Sequence, residues 1–508
     1  MKAPKLILLK AGWEKAMFNV QTRVRQAGGA MLLLPFMAGL GSSCTDATTE
    51  PLRPLSTGHA TPEQSRYFRT PRVVWTVDDE MARIAREEVP GFAGYGVKDG
   101  RLTMFLTDVR SHARAVAVLE STFGRQRFPA GQKPGFDRMD VAQAKYDYNQ
   151  LQTWRLALRE PLFRDKGFVT LDIDETQNRI EIGVIDLSAR GRLTGILDRL
   201  QIPRDAVTTQ VTPITCSLST ACPPPPDSTG TSPDPVATSP VTDMSAFASG
   251  RLDGDAGTIV AGYEVYHDPD PVAHTKKVCT LGVNARVAFS NGTLDGFFTN
   301  SHCTSTLFGS DGTQFFQGNQ YAGYEGWDRG TFSYPGNTAC APGYVCRYSD
   351  AAFVKYDLGA FWQRGYIAKT LLPSSYGNPN LAVSGQYRIV WYYSPPVAQP
   401  YIGQQLVKVG RTTGTTVGQV TGTCRDITVY SPYTYHLLCQ YVVGNAWADG
   451  GDSGSPVFSI SSGNDVWFYG LLWGQPGNTQ TSYYFSGWYE LVWGDMGTYP
   501  QYVVITPN

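Results

Sequence analysis

The sequence is poor in charged residues. Only 17% of its 508 residues are charged and the formal net charge is −1, so no strongly basic surface indicates nucleic acid or anionic membranes as partners. It contains no HExxH segment and no CxxC pair with zinc-like spacing, so we predict neither a metal site nor another cofactor. Histidine is scarce too: there are six in the chain, which leaves few candidates for a catalytic base.

Apolar runs long enough to span a membrane are also missing. Residues 30–40 (AMLLLPFMAGL) suit the core of an export signal, with Arg23 and Arg25 before them. The small residues 41–43 then lead to Cys44 in a segment that resembles a bacterial lipoprotein box, although Gly41 stands where the box usually has leucine. We predict an export signal over 1–44, with two alternatives: a lipid on Cys44, or simple cleavage after the small residues.

Cysteine is unevenly distributed. Cys44 stands alone, and the other eight run from Cys216 to Cys439, an even number that permits four disulfides and suits an oxidising compartment. The simplest pairings by proximity in the sequence are Cys216–Cys222, Cys340–Cys346 and Cys424–Cys439.

Composition divides the rest of the chain into four segments. Residues 45–70 are rich in Thr, Pro and Ser and predict a flexible linker, and 216–255 predict a second, extended and exposed one. Residues 71–215 alternate between helical and hairpin patterns. Residues 256–508 contain many short β-rich runs separated by turn residues, which predicts a closed all-β architecture of one or two barrels.

Segment 71–215 contains the order helix, hairpin, helix twice. The two stretches match at a constant offset of roughly 78 residues. The matching pairs are Arg101 with Arg179, Asp108 with Asp186 and Leu119 with Leu197. We therefore predict a duplicated α+β unit here.

Residues 451–456, GDSGSP, form the most informative motif. Glycine on both sides of Ser453 lets the backbone turn sharply, so that successive N–H groups converge on one anionic oxygen. A serine hydroxyl is a poor nucleophile and needs a base, and the base needs a group that orients it. Among the histidines of 256–508, His302 alone lies in an informative context, FFTNSHC at 297–303.

These two motifs resemble those of the chymotrypsin/trypsin family of serine proteases. TNSHC is similar to that family's Thr-Ala-[Ala/Gly]-His-Cys segment, apart from Asn300 and Ser301, and GDSGSP is similar to its nucleophile segment. The resemblance covers roughly residues 257–508. It implies a protease domain of two antiparallel Greek-key β-barrels.

The family also has an aspartate between the histidine and the serine. RYSDAAFV at 347–354 resembles the strand that carries it and favours Asp350 over its rivals Asp328 and Asp357. The resemblance implies that Ser453 attacks the substrate, that His302 transfers the proton, and that Asp350 orients the imidazole. The N–H groups of Gly451 and Ser453 then form the oxyanion hole.

A further segment, KVGRTTG at 408–414, resembles the Gly-Arg-Thr-Thr-Gly of bacterial members such as alpha-lytic protease and the streptogrisins. In those proteins the arginine pairs with the aspartate before the nucleophile, which implies a pair of Arg411 with Asp452 here. The alternative is that Arg411 is a solvated hairpin residue. Members of this branch are made with α+β pro-regions, and 71–215 resembles such a pro-region in architecture and placement.

The resemblance assigns three more features. It implies a disulfide between Cys279 and Cys303 beside the histidine, and a strand at Leu472-Trp473-Gly474 that pairs with extended peptide. Trp447 lies near the expected base of the primary pocket and Asp449 lies closer to the serine. We expect apolar or small side chains at the cleavage site.

The sequence as a whole predicts an exported serine endopeptidase, made as a precursor. Its predicted partners are a protein or peptide substrate and its own pro-region, with no nucleic acid, and with a membrane only through a lipid on Cys44. Two alternatives remain open: a catalytically inactive binding protein with the same fold, and an esterase that acts on non-peptide substrates.

Overall fold

Strands dominate the structure, a computed structural model. It describes residues 74–123, 135–218, 250–254, 256–270, 275–289, 292–328, 331, 340, 343–357, 359–392, 399–430, 433–477, 480–496 and 503–507. The predicted export signal with Cys44, the first linker and most of the second linker lie outside these residues. In the described part of the chain, no helix is both long and apolar enough to cross a membrane.

The first half of the chain contains all four α-helices that the structure describes and seven strands. The helices are α1 Val77–Arg83, α2 His112–Thr122, α3 Tyr148–Phe163 and α4 Ala189–Leu200. The strands are β1 Phe92–Lys98, β2 Arg101–Leu106, β3 Asp140–Gln143, β4 Phe168–Asp174, β5 Arg179–Val184, β6 Val207–Val211 and β7 Thr215–Ser217.

Local signals explain where these elements begin and turn. Thr76 and Asp79 form a reciprocal capping box at the start of α1, and Asp147 and Gln150 form another at the start of α3. The order helix, hairpin, helix occurs in 77–122 and again in 148–200. That these stretches are copies of one unit remains a prediction, as does the pro-region role of 71–215.

The second half is formed almost entirely of strands. Its first nine are β8 Ile259–Ala261, β9 Glu264–Asp270, β10 Thr275–Thr280, β11 Val283–Phe289, β12 Gly292–Thr299, β13 Gln314–Gln317, β14 Gln320–Trp327, β15 Cys346–Arg347 and β16 Ala352–Tyr356. The rest are β17 Trp362–Thr370, β18 Val383–Tyr392, β19 Gln405–Gly410, β20 Gly414–Val429, β21 Tyr435–Gly444, β22 Pro456–Ser462, β23 Asp465–Pro476, β24 Ser482–Gly487 and β25 Val503–Val504.

The strands form three sheets. One holds β1–β3, a second holds eight strands in the order β10-β9-β13-β14-β16-β12-β11-β25, and the third holds fourteen strands, including β19–β24. The eight-stranded sheet supports the His302 segment, and the fourteen-stranded sheet supports the Ser453 segment. Closure of these strands into two barrels remains a prediction.

The fourteen-stranded sheet joins the two halves of the chain. Strand β4 pairs with β20, so that Thr170 and Leu171 lie opposite Ile427 and Asp426. Strand β7 pairs with β23, so that Ser217 lies opposite Gly474. The boundary predicted at residue 215 therefore falls inside β7, whose residues contact the second half.

Candidate active site

Strand pairing brings His302 and Asp350 together. His302 lies in a single 3-10 turn, Ser301–Cys303, directly after β12, and Asp350 lies two residues before β16. Because β12 and β16 are antiparallel, with Thr299 opposite Ala352, the end of one strand meets the start of the other. Phe298 and Phe468 both pack against Trp488, with ring centroids 5.1 and 5.3 Å apart, which holds this end of β12 against the core.

A continuous chain of hydrogen bonds links Asp350, His302 and Ser453. Asp350 Oδ2 lies 2.6 Å from His302 Nδ1, and His302 Nε2 lies 2.7 Å from Ser453 Oγ. Asp350 Oδ1 also accepts the backbone N–H of His302 at 3.0 Å. All three residues are buried, with His302 4% exposed and the other two 0%.

The environment keeps the Asp350 carboxyl ionised. Burial by itself raises its pKa, but the attraction of the His302 ring, the hydrogen bonds from the His302 N–H groups and the nearby Arg347 guanidinium bring the pKa below its ordinary value. Both ring nitrogens of His302 are engaged, one by Asp350 and one by Ser453. Of the two rival aspartates, Asp328 instead pairs with Arg347 at 2.7 Å, and Asp357 is not a partner of either ring nitrogen.

The turn that carries Ser453 depends on its glycines. Gly451 and Gly454 have φ values of +92° and +91°, which side chains rarely tolerate. A Cβ on Gly451 would lie 2.5 Å from Thr412 Oγ1, and one on Gly454 would lie 2.2 Å from Thr280 O. Both glycines are therefore required by conformation and by space.

Thr280 holds this turn from the other half of the site. Its hydroxyl donates to Gly451 O at 2.8 Å, and its backbone N–H donates to Ser453 O at 2.7 Å. Within the described part of the chain, the N–H groups of Gly451 and Ser453 have no hydrogen-bond acceptor. The predicted oxyanion donors are therefore not engaged by another group of the described chain, and their convergence on one oxygen remains a prediction.

The predicted pair of Arg411 with Asp452 is wrong. Asp452 is fully buried and pairs with Lys408, whose Nζ lies 2.8 Å from Asp452 Oδ2. The backbone N–H groups of Thr412 and Thr413 donate to its other carboxylate oxygen at 3.0 and 3.1 Å.

Arg411 has a different partner, since its guanidinium binds Glu264, with Nε 2.8 Å from Oε2. Arg411 does lie in the turn of the β19–β20 hairpin, as the alternative of a solvated hairpin residue had it, but its side chain is only 25% exposed and is paired. The sequence contained one signal for Lys408: it is the only charged residue in β19, among valines and a leucine. A charge in an apolar strand predicts a buried partner.

Three disulfides have the predicted pairing. They are Cys279–Cys303, Cys340–Cys346 and Cys424–Cys439. The first joins the end of β10 to the turn that carries His302. Because Cys279 and Cys303 are bonded to each other, neither is a thiolate ligand for a metal beside His302. Cys222, the predicted partner of Cys216, lies outside the described residues.

The predicted substrate strand already has a neighbour. Leu472, Trp473 and Gly474 belong to β23, and β7 pairs with its edge in antiparallel orientation. The Leu218 N–H donates to Trp473 O at 3.4 Å. The Trp473 ring is buried, with its Nε1 donating to Gln440 at 2.8 Å, so the contacts at this edge come from the backbone.

The residues proposed for specificity lie beside the Ser453 turn. The half-buried Trp447 ring contacts Tyr376, with centroids 5.7 Å apart. Asp449 is turned toward its own backbone, since its carboxylate accepts the Gly450 N–H at 2.7 Å. Asp449 therefore stabilises the turn.

No protein-family profile and no curated protein matches the chain. Solved structures do match it. Thermobifida fusca Protease A is 16% identical over 49% of this chain and 100% of its own, with a TM-score of 0.30. Nocardiopsis Protease is 20% identical over 45% of this chain and 92% of its own, also with a TM-score of 0.30. Cellulomonas bogoriensis chymotrypsin is 18% identical over 49% of this chain and 100% of its own, with a TM-score of 0.31. About half of this chain is similar in structure to bacterial chymotrypsin-fold proteases.

Proposed function

We propose that this chain is a serine endopeptidase. The observation that carries the proposal is the buried chain of hydrogen bonds from Asp350 through His302 to Ser453 Oγ, with both ring nitrogens engaged. A carboxylate, an imidazole and a hydroxyl in this order activate the hydroxyl for attack on a carbonyl carbon. An inactive binding protein needs neither this alignment nor a depressed Asp350 pKa.

The proposed reaction proceeds through an acyl-enzyme. Ser453 Oγ attacks the scissile carbonyl while His302 Nε2 accepts the hydroxyl proton, and Asp350 stabilises the imidazolium that forms. The oxyanion binds the N–H groups of Gly451 and Ser453. His302 then protonates the leaving amine, and a water molecule hydrolyses the ester in a second, equivalent step.

A peptide is the substrate that the cleft favours. The edge of β23 presents backbone groups, and β7 shows that an extended segment pairs there. Recognition by strand addition requires a backbone with regularly spaced amides, which a simple ester lacks. This observation favours peptides over the non-peptide esters of the alternative hypothesis.

We also propose that residues 71–215 act as a pro-region and that the chain is exported. Support for the first point comes from β7, which occupies the edge of β23 while Ser453 is 0% exposed. The three disulfides support export to an oxidising compartment. A lipid on Cys44 remains a proposal that the mass of the mature N-terminus tests.

Covalent labelling tests the protease proposal. We expect a fluorophosphonate to label wild-type protein, intact or after cleavage of the linker at 219–249, and to leave Ser453→Ala and His302→Ala unlabelled. Absence of labelling in both wild-type forms, or labelling that persists in Ser453→Ala, contradicts it. We also expect wild-type protein, but not Ser453→Ala, to acquire a new terminus between Leu218 and Gly250, which mass spectrometry detects.

A further inference from the structure

The peptide group between Gly450 and Gly451 carries one of the two proposed oxyanion donors, the Gly451 N–H. In a trans peptide the C=O and N–H groups point in opposite directions. The direction of the Gly451 N–H therefore depends on what holds the Gly450 carbonyl. Glycine on both sides makes rotation of this peptide plane easy, because no Cβ restricts the flanking dihedral angles.

Thr412 holds that carbonyl. Its hydroxyl donates to Gly450 O at 2.6 Å. Thr412 is itself fixed, because its backbone N–H donates to the buried Asp452 carboxylate at 3.0 Å. The Thr412 hydroxyl therefore connects Asp452, through the intervening backbone, to the peptide plane of the donor.

The neighbouring peptide groups have other partners. The Gly450 N–H is bound by the Asp449 carboxylate at 2.7 Å, and Gly451 O is bound by the Thr280 hydroxyl at 2.8 Å. Among the described residues, the peptide plane between them has a protein partner only at its carbonyl, which is Thr412. Loss of that hydroxyl leaves this plane without a hydrogen-bond partner, whereas the planes on either side of it keep theirs.

We propose that Thr412 is a positioning residue that sets the oxyanion hole, an inference that rests on the proposed protease function. It keeps the Gly450 carbonyl turned away from the substrate and the Gly451 N–H turned toward it. Without the hydroxyl, the plane rotates, one donor is lost and a carbonyl dipole faces the developing anion. Loss of one oxyanion donor typically lowers the rate by about 100-fold or more.

Four variants of the full-length chain test this inference. We expect Thr412→Val to lower the rate of Ser453 labelling by a fluorophosphonate about 100-fold, and Thr412→Ser to retain a rate near that of the wild type. The matched control is Thr103→Val, because buried Thr103 also donates its hydroxyl to a carbonyl, Arg101 O at 3.1 Å, and lies in β2, in the first half of the chain. If Thr412→Val does not fold, Thr412→Ala replaces it, and the comparison with Thr412→Ser still differs by one hydroxyl oxygen.

The outcomes separate this inference from the proposed function. A wild-type labelling rate in Thr412→Val, or equal losses in the Val and Ser variants, overturns the role of the hydroxyl. Absence of labelling in both wild-type forms, intact and cleaved in the linker, rejects the protease function instead. Crystal structures of wild type and Thr412→Val then decide the inference without activity: a rotated Gly450–Gly451 peptide in the variant supports it, and an unchanged peptide overturns it.

Discussion

Lys408 places a positive charge inside the second half of the molecule. Its side chain is 0% exposed, and burial lowers its pKa, against the opposing effect of Asp452. The ammonium also donates to Gly414 O at 3.2 Å and to the Thr413 hydroxyl. Removal of either Lys408 or Asp452 is therefore costly, because the charge that remains stays buried without its partner.

We expect Lys408→Met to lower the free energy of unfolding by about 3–5 kcal/mol, because it leaves the Asp452 carboxylate buried without its cation. Arg388→Met is the matched control. Its pair with Asp465 is exposed, 54% and 33%, and such a pair contributes about 1 kcal/mol or less. Urea denaturation measures both, and equal losses contradict the assignment of Lys408 as the partner of Asp452.

The KVGRTTG motif predicted a cation for Asp452 but selected the wrong one. Lys408 lies inside β19, whereas Arg411 lies in the turn between β19 and β20. The motif therefore indicated a cation near Asp452, but which of the two reaches Asp452 depends on how β19 packs against β22, which sequence alone does not give. His302, Asp350 and Ser453, by contrast, each lie in a segment whose neighbours were informative, and the structure brings them together.

His436 is a second buried titratable group at the junction of the two halves. Its ring stacks on Phe163 of α3, with centroids 3.8 Å apart, and Nδ1 lies 3.1 Å from the Thr428 hydroxyl. Burial lowers its pKa from 6.5 to about 3, with Arg159 acting in the same direction and Asp426 opposing. The folded protein therefore keeps this ring neutral at pH values where an unfolded chain protonates it.

We expect acid to destabilise the wild type more than His436→Phe, a variant that keeps a ring against Phe163. The depressed pKa means that the contribution of His436 is fully present above pH 6.5 and is lost as pH falls from 6.5 toward 3. In that window the folding equilibrium of the wild type declines, relative to the variant, by about tenfold per pH unit. Thermal or urea unfolding between pH 7 and pH 4 measures it, and parallel profiles contradict it.

At the scale of elements, the Cys279–Cys303 disulfide ties β10 to the turn of His302. We expect the double substitution Cys279→Ala and Cys303→Ala to lower the free energy of unfolding by about 3 kcal/mol, because the disulfide that it removes closes a loop of 24 residues in the unfolded chain. The control is removal of Cys340–Cys346, whose separation of 6 residues predicts a smaller loss of about 2 kcal/mol. Denaturation of both variants checks the order, and a larger loss in the control contradicts it.

Strand β20 shows where prediction of elements from sequence failed. The sequence predicted only short β-rich runs in 256–508, whereas this strand has sixteen residues, Gly414–Val429. The glycines inside it suggested turns, yet Gly418 serves close packing: a Cβ there would lie 2.5 Å from Gly444 O. The sequence does not distinguish a glycine that ends a strand from a glycine that makes room for a neighbouring strand. The starts of α1 and α3, by contrast, are marked in the sequence by their capping residues.

At the scale of the whole molecule, buried ion pairs link the two halves. Arg155 of α3 is 1% exposed and lies 3.0 Å from Asp426 of β20. In a second group the cation belongs to the second half: Arg425 of β20 lies 2.8 Å from both Asp172 and Glu181 of the first half. The sequence could not predict these contacts, because they join residues about 250 positions apart whose register is set only by the folded sheet.

We expect the two halves to stay together after cleavage of a specific protease site inserted within residues 223–242, tested in a Ser453→Ala background. Arg425→Met is expected to release them, because it leaves Asp172 and Glu181 buried without their cation. Arg388→Met is the control, since its pair with Asp465 is exposed and lies within the second half. Size-exclusion chromatography at neutral pH separates the outcomes. Dissociation of the unsubstituted halves, or release by both variants, contradicts the role of Arg425.

Strand β7 competes with any outside peptide for the edge of β23. Ser217 lies opposite Gly474 and is joined to it by the chain, so the fraction of molecules in which β7 occupies this edge does not depend on the protein concentration. A tethered ligand acts at an effective concentration on the order of millimolar, which an outside peptide must match to gain access. Once the covalent link is cut, β7 stays on the edge of β23 only as long as the two halves remain bound to each other. The contacts between the halves, such as the pairs of Arg155 and Arg425, and no longer the tether, then decide when this edge is free for a substrate.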